Sequence, residues 1–349
     1  MNKNNPYTLS FGSIPHQLIG RDIIISDLLE ALNNEYSGEQ AFKLTGVRGA
    51  GKTVTLTIIE KELKNDNSWI TVDLKSSGNV TEELISNLYS QEGFLTKYID
   101  ANLNLSAFGV GLNLSAKSPT TSTDVALKQL LSEVKRKKKK VLVVIDELRK
   151  TDYIVSFIQE FQILIRAELP IYLIVAGLYE DIEAVENTDG LTFFLRAESF
   201  EMEPLGINVI REDYKQTLGL PTDKADALAK MTKGYAFAYQ AFGKYMWDSH
   251  DAEITDLILA KVDDALAKRV YNKLWSELSA KEKNYLSFIA QKDSMQVEEL
   301  LALTKEKHSD WSRPRKRLIE KGIIGSSGRG EIHLCLPRFG NYINENVTI

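Results

Sequence analysis

Residues 46–53 read GVRGAGKT, which matches the spacing GxxxxGK[ST] at every fixed position. Glycines allow backbone N–H groups to wrap around an anion, and the start of a helix adds a partial positive charge beside it. A lysine followed by a hydroxyl residue suits the β- and γ-phosphates of a nucleotide and its Mg²⁺ ion. This stretch therefore predicts a phosphate loop, with Lys52 on the phosphates and Thr53 on the metal. The residues expected to contact the nucleotide are Gly46, Val47, Arg48, Gly49, Ala50, Gly51, Lys52, Thr53 and Val54.

A pair of carboxylates forms the second candidate group. Residues 141–145 are an uninterrupted apolar run, typical of a strand buried on both faces of a parallel sheet, and Asp146 and Glu147 follow it directly. Ligands of open α/β sheets bind at the carboxyl ends of the strands. We therefore expect Asp146 to hold Mg²⁺ and Glu147 to orient or deprotonate the attacking water. Together with Lys52, Glu147 is a candidate catalytic residue.

The elements around these residues alternate between strands and helices. Apolar runs predict strands at residues 41–45, 68–74, 141–145, 171–176 and 199–205, with helical patterns between them. This alternation is typical of a right-handed, mostly parallel α/β fold, so we predict the parallel sheet of a P-loop NTPase. A hairpin insertion at about residues 101–118, where apolar and polar residues alternate, is expected to project from the sheet and to pack on its own domain or meet a partner.

The composition limits the class of protein. The chain has 349 residues, 43% of them apolar and 26% charged, and no apolar run approaches the ~20 residues that span a bilayer. Cys335 is its only cysteine, which excludes an internal disulfide, and the four histidines are scattered through the sequence. We therefore expect a soluble, cytoplasmic protein with no membrane segment and no zinc site.

After residue 206 the sequence changes from strands to helices. Helical patterns cover most of residues 208–278, which suggests a lid over the nucleotide. Three further helices and two strands around a glycine-rich turn follow, in the order of a winged helix-turn-helix domain. Pro314 fits the third of these helices if that helix starts near residues 310–312, because proline belongs in a first turn. We predict an N-terminal arm at 1–17, a nucleotide-binding domain at 18–206, a helical lid at 207–277 and a winged-helix domain at 278–349.

The order of these parts resembles an AAA+ ATPase of the origin-recognition (initiator-like) type, and similar chains are grouped with the STAND signalling ATPases. The resemblance covers nearly the whole chain, with the phosphate loop as Walker A and the acidic pair after residue 145 as Walker B. It implies that the protein binds ATP or ADP together with Mg²⁺. It also implies that Ile19, Gly20 and Arg21 lie against the adenine.

Departures from the family pattern affect the expected rate of ATP hydrolysis. The fourth strand ends in Val175, Ala176 and Gly177, where the family often has a polar sensor residue. Residues 234–240 lack the arginine that many lids place on the γ-phosphate. We therefore expect slow ATP hydrolysis. Arg196 lies where the family's arginine finger is found, so it is either a catalytic residue acting on a neighbour in a homo-oligomer or a surface arginine.

The charge of the chain is unevenly distributed. Residues 305–340 hold nine basic and four acidic side chains, a net charge of +5, so the remainder carries −10 given the total of −5. A basic module on an acidic protein is the electrostatic footprint of contacts with a phosphate backbone. We therefore predict an ATP-driven switch that binds duplex DNA through its winged helix. The predicted DNA contacts are Arg313, Lys316, Arg317 and Arg329.

Two alternatives remain open. The terminal domain could instead hold other protein domains or neighbouring subunits, as in a signalling or defence ATPase, and the missing sensor residues favour this. The basic run at residues 135–140 is either a solvated helix end, which the helix dipole favours, or a second nucleic-acid patch.

Overall fold

The protein is described from a computed structural model. It covers residues 4–346 except 11, 13, 17, 35–37, 92–122, 251–252 and 329. The chain divides into a sheet unit, residues 24–45 and 55–201, and a helical unit, residues 1–23, 46–54 and 202–349. The predicted hairpin at about residues 101–118 and the predicted DNA contact Arg329 lie outside the described residues. The division into an arm, a nucleotide-binding domain, a lid and a terminal domain stays a prediction.

The described residues of the sheet unit contain a five-stranded parallel sheet. Its strands are β1 (Ala41–Thr45), β2 (Trp69–Leu74), β3 (Lys140–Ile145), β4 (Ile171–Gly177) and β5 (Glu198–Glu201), in the order β2-β3-β4-β1-β5. All of residues 141–145 are buried, as expected for a strand covered on both faces. The register pairs Thr45 with Gly177 and Ile145 with Val175, so β1, β3 and β4 end at the same edge. The predicted parallel α/β fold is confirmed.

The helices of the sheet unit complete its core. They are α1 (Asp22–Asn33) and α2 (Lys52–Lys64), which begin in the helical unit, then α3 (Val80–Gln91), α4 (Thr123–Arg136), α5 (Asp152–Arg166), α6 (Tyr179–Glu186) and α7 (Thr192–Arg196). In α5, the Thr151 hydroxyl caps the first turn by accepting a hydrogen bond from the Ile154 N–H. The buried residues of α5 recur at helical spacing: Ile154, Phe157, Ile158, Phe161 and Leu164.

A buried ion pair ties β1 to α6 and α7. Lys43 in β1 is 4% exposed, and its Nζ lies 2.6 Å from Glu186 Oε1 at the end of α6. The same ammonium donates a hydrogen bond to the Leu195 carbonyl of α7 at 3.2 Å. Because an ammonium left unpaired in the interior costs about 3–5 kcal/mol, these two partners fix α6 and α7 beside β1.

The helical unit has two successive groups of elements. The first contains α8 (Ile207–Thr217), α9 (Thr222–Met231), α10 (Ala236–Ser249), α11 (Asp256–Leu266), a π-helical turn (Ala267–Tyr271) and α12 (Asn272–Ser276). The second contains α13 (Ala280–Ile289), β6 (Ser294–Gln296), α14 (Val297–Thr304), α15 (His308–Glu320), β7 (Ile324–Ser327), β8 (Glu331–Leu334) and α16 (Phe339–Asn346). The strands of the second group pair antiparallel in the order β6-β8-β7. Within the described residues, none of the helices has the length and apolar character needed to cross a membrane.

The start of α15 differs from the expectation. The Asp310 carboxylate accepts a hydrogen bond from the Lys307 N–H at 3.2 Å, and the helix begins at His308. Pro314 therefore lies inside the helix and not in its first turn, which was the position predicted for it. The helix tolerates the proline at the loss of one backbone hydrogen bond, because proline has no N–H.

The N-terminal arm is anchored in the helical unit by a buried carboxylate. Asp213 in α8 accepts hydrogen bonds from the hydroxyls of Tyr7 at 2.7 Å, Tyr239 at 2.8 Å and Thr217 at 3.0 Å. The ring of Tyr7 lies where a side chain on Gly243 would stand, with Cδ1 2.5 Å from the position of a Cβ. Three hydroxyl donors satisfy the buried carboxylate and hold the arm against α8 and α10.

Candidate nucleotide-binding site

The phosphate loop follows Thr45 at the end of β1 and leads into α2. Lys52 is the first residue of α2, and its Nζ donates hydrogen bonds to the carbonyls of Gly46 at 2.7 Å and Val47 at 3.0 Å. These bonds keep the ammonium within the loop that the motif identified. The start of α2 adds its partial positive charge at the same place, so the loop suits an anion.

Two side chains from other parts of the helical unit hold further carbonyls of the loop. The Tyr235 hydroxyl donates to the Arg48 carbonyl at 2.6 Å, and Arg21 Nη2 donates to the Ala50 carbonyl at 3.0 Å. In a trans peptide the C=O and N–H bonds point in opposite directions, and no described peptide bond is cis. A carbonyl held by a donor therefore turns the following N–H away from that donor. The N–H groups of Gly51 and Gly49 therefore point away from Arg21 and Tyr235, respectively, whereas the Ala50 N–H donates to the Val47 carbonyl at 3.3 Å.

Gly49 lies under the ring of Tyr235. Its φ is +77°, and a Cβ at this position would lie 2.2 Å from Tyr235 Oη and 2.8 Å from Cζ. A side chain here would therefore be strained by the backbone and blocked by the ring. The motif leaves this position variable, so the additional glycine was the one sequence signal that a bulky group covers the loop. Tyr235 was not among the residues predicted to contact the loop.

The later part of the helical unit also reaches the loop. Arg48 forms an ion pair with Glu277, which follows α12, with Nη2 and Oε1 3.5 Å apart. Val47 packs against Gly322, which follows α15, and a Cβ on that glycine would lie 2.3 Å from Val47 Cγ1. The phosphate loop therefore contacts the segment directly after the helix that carries most of the predicted DNA contacts.

The segment expected to lie against adenine is mostly buried. Ile19 is 7% exposed and belongs to the hydrophobic core of the helical unit. Gly20 packs against Leu205 and Arg21 is 5% exposed on the Ala50 carbonyl. Burial lowers the pKa of Arg21 below its ordinary value, and the Glu203 carboxylate opposes this only in part. Arg21 supports the loop, and the predicted contact of these three residues with a base stays a prediction.

The acidic pair lies at the end of β3 in the sheet unit. Asp146 is half-buried, and its Oδ1 accepts a hydrogen bond from the Glu147 N–H at 2.9 Å. Glu147 has a φ of +51°, a left-handed conformation that costs a non-glycine residue about 1–2 kcal/mol. The Ser76 hydroxyl holds its carbonyl at 3.0 Å, and the next N–H, that of Leu148, donates to Ala176 at 2.8 Å. The turn therefore fixes Glu147 with its side chain exposed.

The donor types at these positions fit Mg²⁺. Magnesium takes oxygen ligands, usually one or two carboxylates, and completes its shell with water and nucleotide phosphates. Asp146 offers a carboxylate and Thr53 a hydroxyl. Among the described residues there is no group of three or more histidine, cysteine or carboxylate side chains that could hold a metal without a nucleotide. Thr53 and Asp146 as ligands of Mg²⁺ stay a prediction.

Arg196 and the sensor positions lie in the sheet unit. Arg196 is the last residue of α7 and is exposed, directly after Leu195, whose carbonyl Lys43 holds. The end of β4 is apolar and buried at Val175 and Ala176. The sheet therefore supplies no polar sensor there.

The predicted DNA contacts that fall within the described residues lie on α15, and their side chains have different neighbours. Arg313 and Lys316 are exposed, and Lys316 forms an ion pair with Glu320 at 3.3 Å. Arg317 is half-buried, with Nη1 3.3 Å from an oxygen of the buried Glu282 in α13. Arg317 therefore bridges two helices, while Arg313 and Lys316 present their charges to solvent.

The comparisons with known proteins agree with this architecture. The Aeropyrum pernix ORC2 protein in its ADPNP and ADP complexes is similar at 15% identity over 96% of this chain and 95% of that one, with a TM-score of 0.62. A Walker-type ATPase of Pyrococcus abyssi is similar at 16% identity over 97% and 99%, with a TM-score of 0.63. Cdc6p of Pyrobaculum aerophilum is similar at 16% identity over 96% of each chain, with a TM-score of 0.50. The fold is that of the ORC/Cdc6-type AAA+ ATPases.

Sequence comparisons add one finding. The family model described as a domain of unknown function (DUF8462) matches residues 268–343, which run from the π-helical turn into α16. A comparison with curated proteins found no match.

Gly322→Ala should destabilise the protein more than Gly328→Ala. Both glycines have a left-handed φ, +64° and +70°, so each alanine carries a similar backbone cost of about 1–2 kcal/mol. Only the new Cβ at Gly322 meets a neighbour, Val47, whereas nothing lies within 4 Å of Gly328. Urea unfolding midpoints measure the difference. In the Val47→Ala background, which removes Cγ1 but keeps the Cβ at 3.2 Å, the difference between the two glycine substitutions should become smaller. Equal midpoints in the unaltered background would contradict the Val47 contact.

Proposed function

We propose that this protein is an AAA+ switch that binds ATP and ADP and hydrolyses ATP with Mg²⁺. The observation that supports this most directly is the phosphate loop, where the Lys52 ammonium lies at the start of α2, and Tyr235 and Arg21 hold the Arg48 and Ala50 carbonyls. The choice of an adenine nucleotide is supported by the similar ORC2 protein, which was solved with ADPNP and ADP.

Each candidate residue has a separate task in this proposal. Lys52 exchanges the two loop carbonyls for oxygens of the β- and γ-phosphates, and Thr53 and Asp146 hold the metal. Bound Mg²⁺ supplies neutralising charge at the phosphates. Glu147 orients or deprotonates the attacking water with its exposed carboxylate. The adenine is assigned to Ile19, Gly20 and Arg21.

Lys52→Ala and Glu147→Gln should separate binding from hydrolysis. Lys52→Ala should abolish ATP binding, whereas Glu147→Gln should bind ATP and Mg²⁺ normally but hydrolyse ATP ~10²–10⁴-fold more slowly. Calorimetry measures binding and phosphate release measures hydrolysis. Lys61→Ala, an exposed lysine in the same helix α2, is the matched control and should match the unaltered protein. Unchanged ATP affinity in Lys52→Ala would refute the site.

Arg196 is proposed as an arginine finger that acts on the nucleotide of a neighbouring subunit. Its exposure at the end of α7 supports this role, since a finger must be reachable by another chain. Hydrolysis per subunit should then rise with protein concentration and fall in Arg196→Ala. Arg166→Ala at the exposed end of α5 is the control. Activity that is independent of concentration, from a protein that sediments as a monomer, would remove the finger.

The second group of the helical unit is proposed to bind duplex DNA as a winged helix. The order α13-β6-α14-α15-β7-β8 supports this, because it is that of a winged helix-turn-helix domain. The exposed side chains of Arg313 and Lys316 on α15 support a phosphate contact, and Arg317 lies on the same helix. Arg329 is proposed as a further contact from its charge alone. The alternative is a signalling ATPase whose winged helix holds proteins. The absence of an arginine from residues 234–240 favours that alternative.

Arg313→Ala/Lys316→Ala should weaken duplex DNA binding and reduce its dependence on salt. Each phosphate contact contributes a slope of about −0.9 in log affinity against log salt, so losing contacts flattens the slope. Fluorescence anisotropy over a salt series measures both quantities. Arg136→Ala/Lys138→Ala, which removes the same charge at the end of α4, should do less. Equal losses would assign DNA binding to the sheet unit, and no binding by the unaltered protein at low salt, with or without ATP, would favour the signalling alternative.

A further inference from the structure

Tyr235 is a large side chain of the predicted lid that covers the phosphate loop directly. It stands at the N-terminus of α10, its hydroxyl donates to the Arg48 carbonyl at 2.6 Å, and its ring occupies the space above Gly49. Tyr235 belongs to neither of the two motifs described above. Because its hydroxyl bonds the Arg48 carbonyl, it acts on the peptide between Arg48 and Gly49.

The surroundings of Tyr235 hold it rigidly. The side chain is 6% exposed, and its N–H donates to the Thr232 carbonyl at 2.9 Å. The preceding residue, Gly234, has its carbonyl held by the Leu205 N–H at 2.8 Å. Burial raises the pKa of Tyr235 above its ordinary value, so the hydroxyl stays protonated and remains a donor at any physiological pH. Because Tyr235 is held in place, its hydroxyl can hold the Arg48 carbonyl in place as well.

We propose that Tyr235 is a positioning residue for nucleotide binding, which holds the Arg48–Gly49 peptide with its N–H turned toward the phosphates. The proposal rests on the proposed nucleotide-binding function. Because the carbonyl and the N–H of a trans peptide point in opposite directions, a bond from Tyr235 to the carbonyl leaves the Gly49 N–H on the opposite face. In phosphate loops these N–H groups cradle the α- and β-phosphates, which ATP and ADP share.

This role differs from that of a lid arginine on the γ-phosphate. An arginine there favours ATP over ADP, because only ATP carries the group it contacts. Tyr235 contacts the loop and not the third phosphate, so its contribution should be the same for both nucleotides. The lid of this protein therefore stabilises an occupied loop without distinguishing its two occupants at this position.

The test is Tyr235→Phe, which removes the hydroxyl and keeps the ring over Gly49. Affinities for ATP, ADP and adenosine are measured by calorimetry or competition. The affinities for ATP and ADP should fall by the same factor, about five- to tenfold for a lost hydrogen bond with its acceptor left buried. The affinity for adenosine, which has no phosphate, should not change.

Tyr214→Phe is the matched control. The Tyr214 hydroxyl is fully buried in the same unit and donates to another backbone carbonyl, that of Tyr239, at 2.7 Å. Both variants lose an equivalent bond and should lower the melting temperature by similar amounts. Only Tyr235→Phe should lower the affinity for ATP and ADP.

Each other outcome has a definite meaning. If the unaltered protein binds ATP and Tyr235→Phe binds it equally well, the positioning role is wrong and the nucleotide site stands. A loss confined to ATP would overturn the proposal by indicating a γ-phosphate contact. An equal loss in Tyr214→Phe would reduce the effect to general destabilisation and overturn it as well. If the unaltered protein binds neither nucleotide, the proposed function and the positioning role fail together.

Discussion

One constraint on the backbone of a phosphate loop organises the helical unit. The N–H groups must face an anion, so the carbonyls of the same peptides need donors from the other side. Arg21 and Tyr235 provide such donors for the Ala50 and Arg48 carbonyls, from segments that precede and follow the loop by a long stretch of chain. Lys52 differs, because it holds the Gly46 and Val47 carbonyls from within the loop. The buried tyrosines and the anchored arm of this unit keep those donors in place.

Local features of the sequence predicted a large part of this structure. The phosphate loop is defined by contiguous residues, and the strand Ala41–Thr45 before it was predicted with the observed ends. The buried strand before Asp146 was recognisable because a strand covered on both faces is apolar throughout. A capping box between Ser279 and Glu282 opens α13, and its two residues stand only three positions apart. In each case the residues that determine the structure are neighbours in the chain.

Features that depend on distant partners were not predictable. α6 and α7 are short and are held by Lys43, whose polar head in a buried strand is stabilised only by Glu186 and the Leu195 carbonyl. The sequence predicted Arg317 as a DNA contact but gave no sign of its ion pair with Glu282 on another helix. The spacing of residues along a helix predicts which face a side chain lies on, but it does not predict which group on another element contacts that side chain. The contact of Tyr235 with the loop was not predictable for the same reason, because its acceptor, the Arg48 carbonyl, is distant in the chain.

The helical unit is discontinuous, and this has a consequence for synthesis. The sheet unit ends at residue 201, and the five strands of its described residues all precede that point. The phosphate loop leaves the ribosome earlier still, but Tyr235, Glu277 and Gly322 are made after it. A nascent chain that stops after the sheet thus carries the whole loop sequence without the late supports of its backbone. Under the proposed function, nucleotide would bind poorly to such a growing chain, and its binding would mark a chain whose synthesis has passed Gly322.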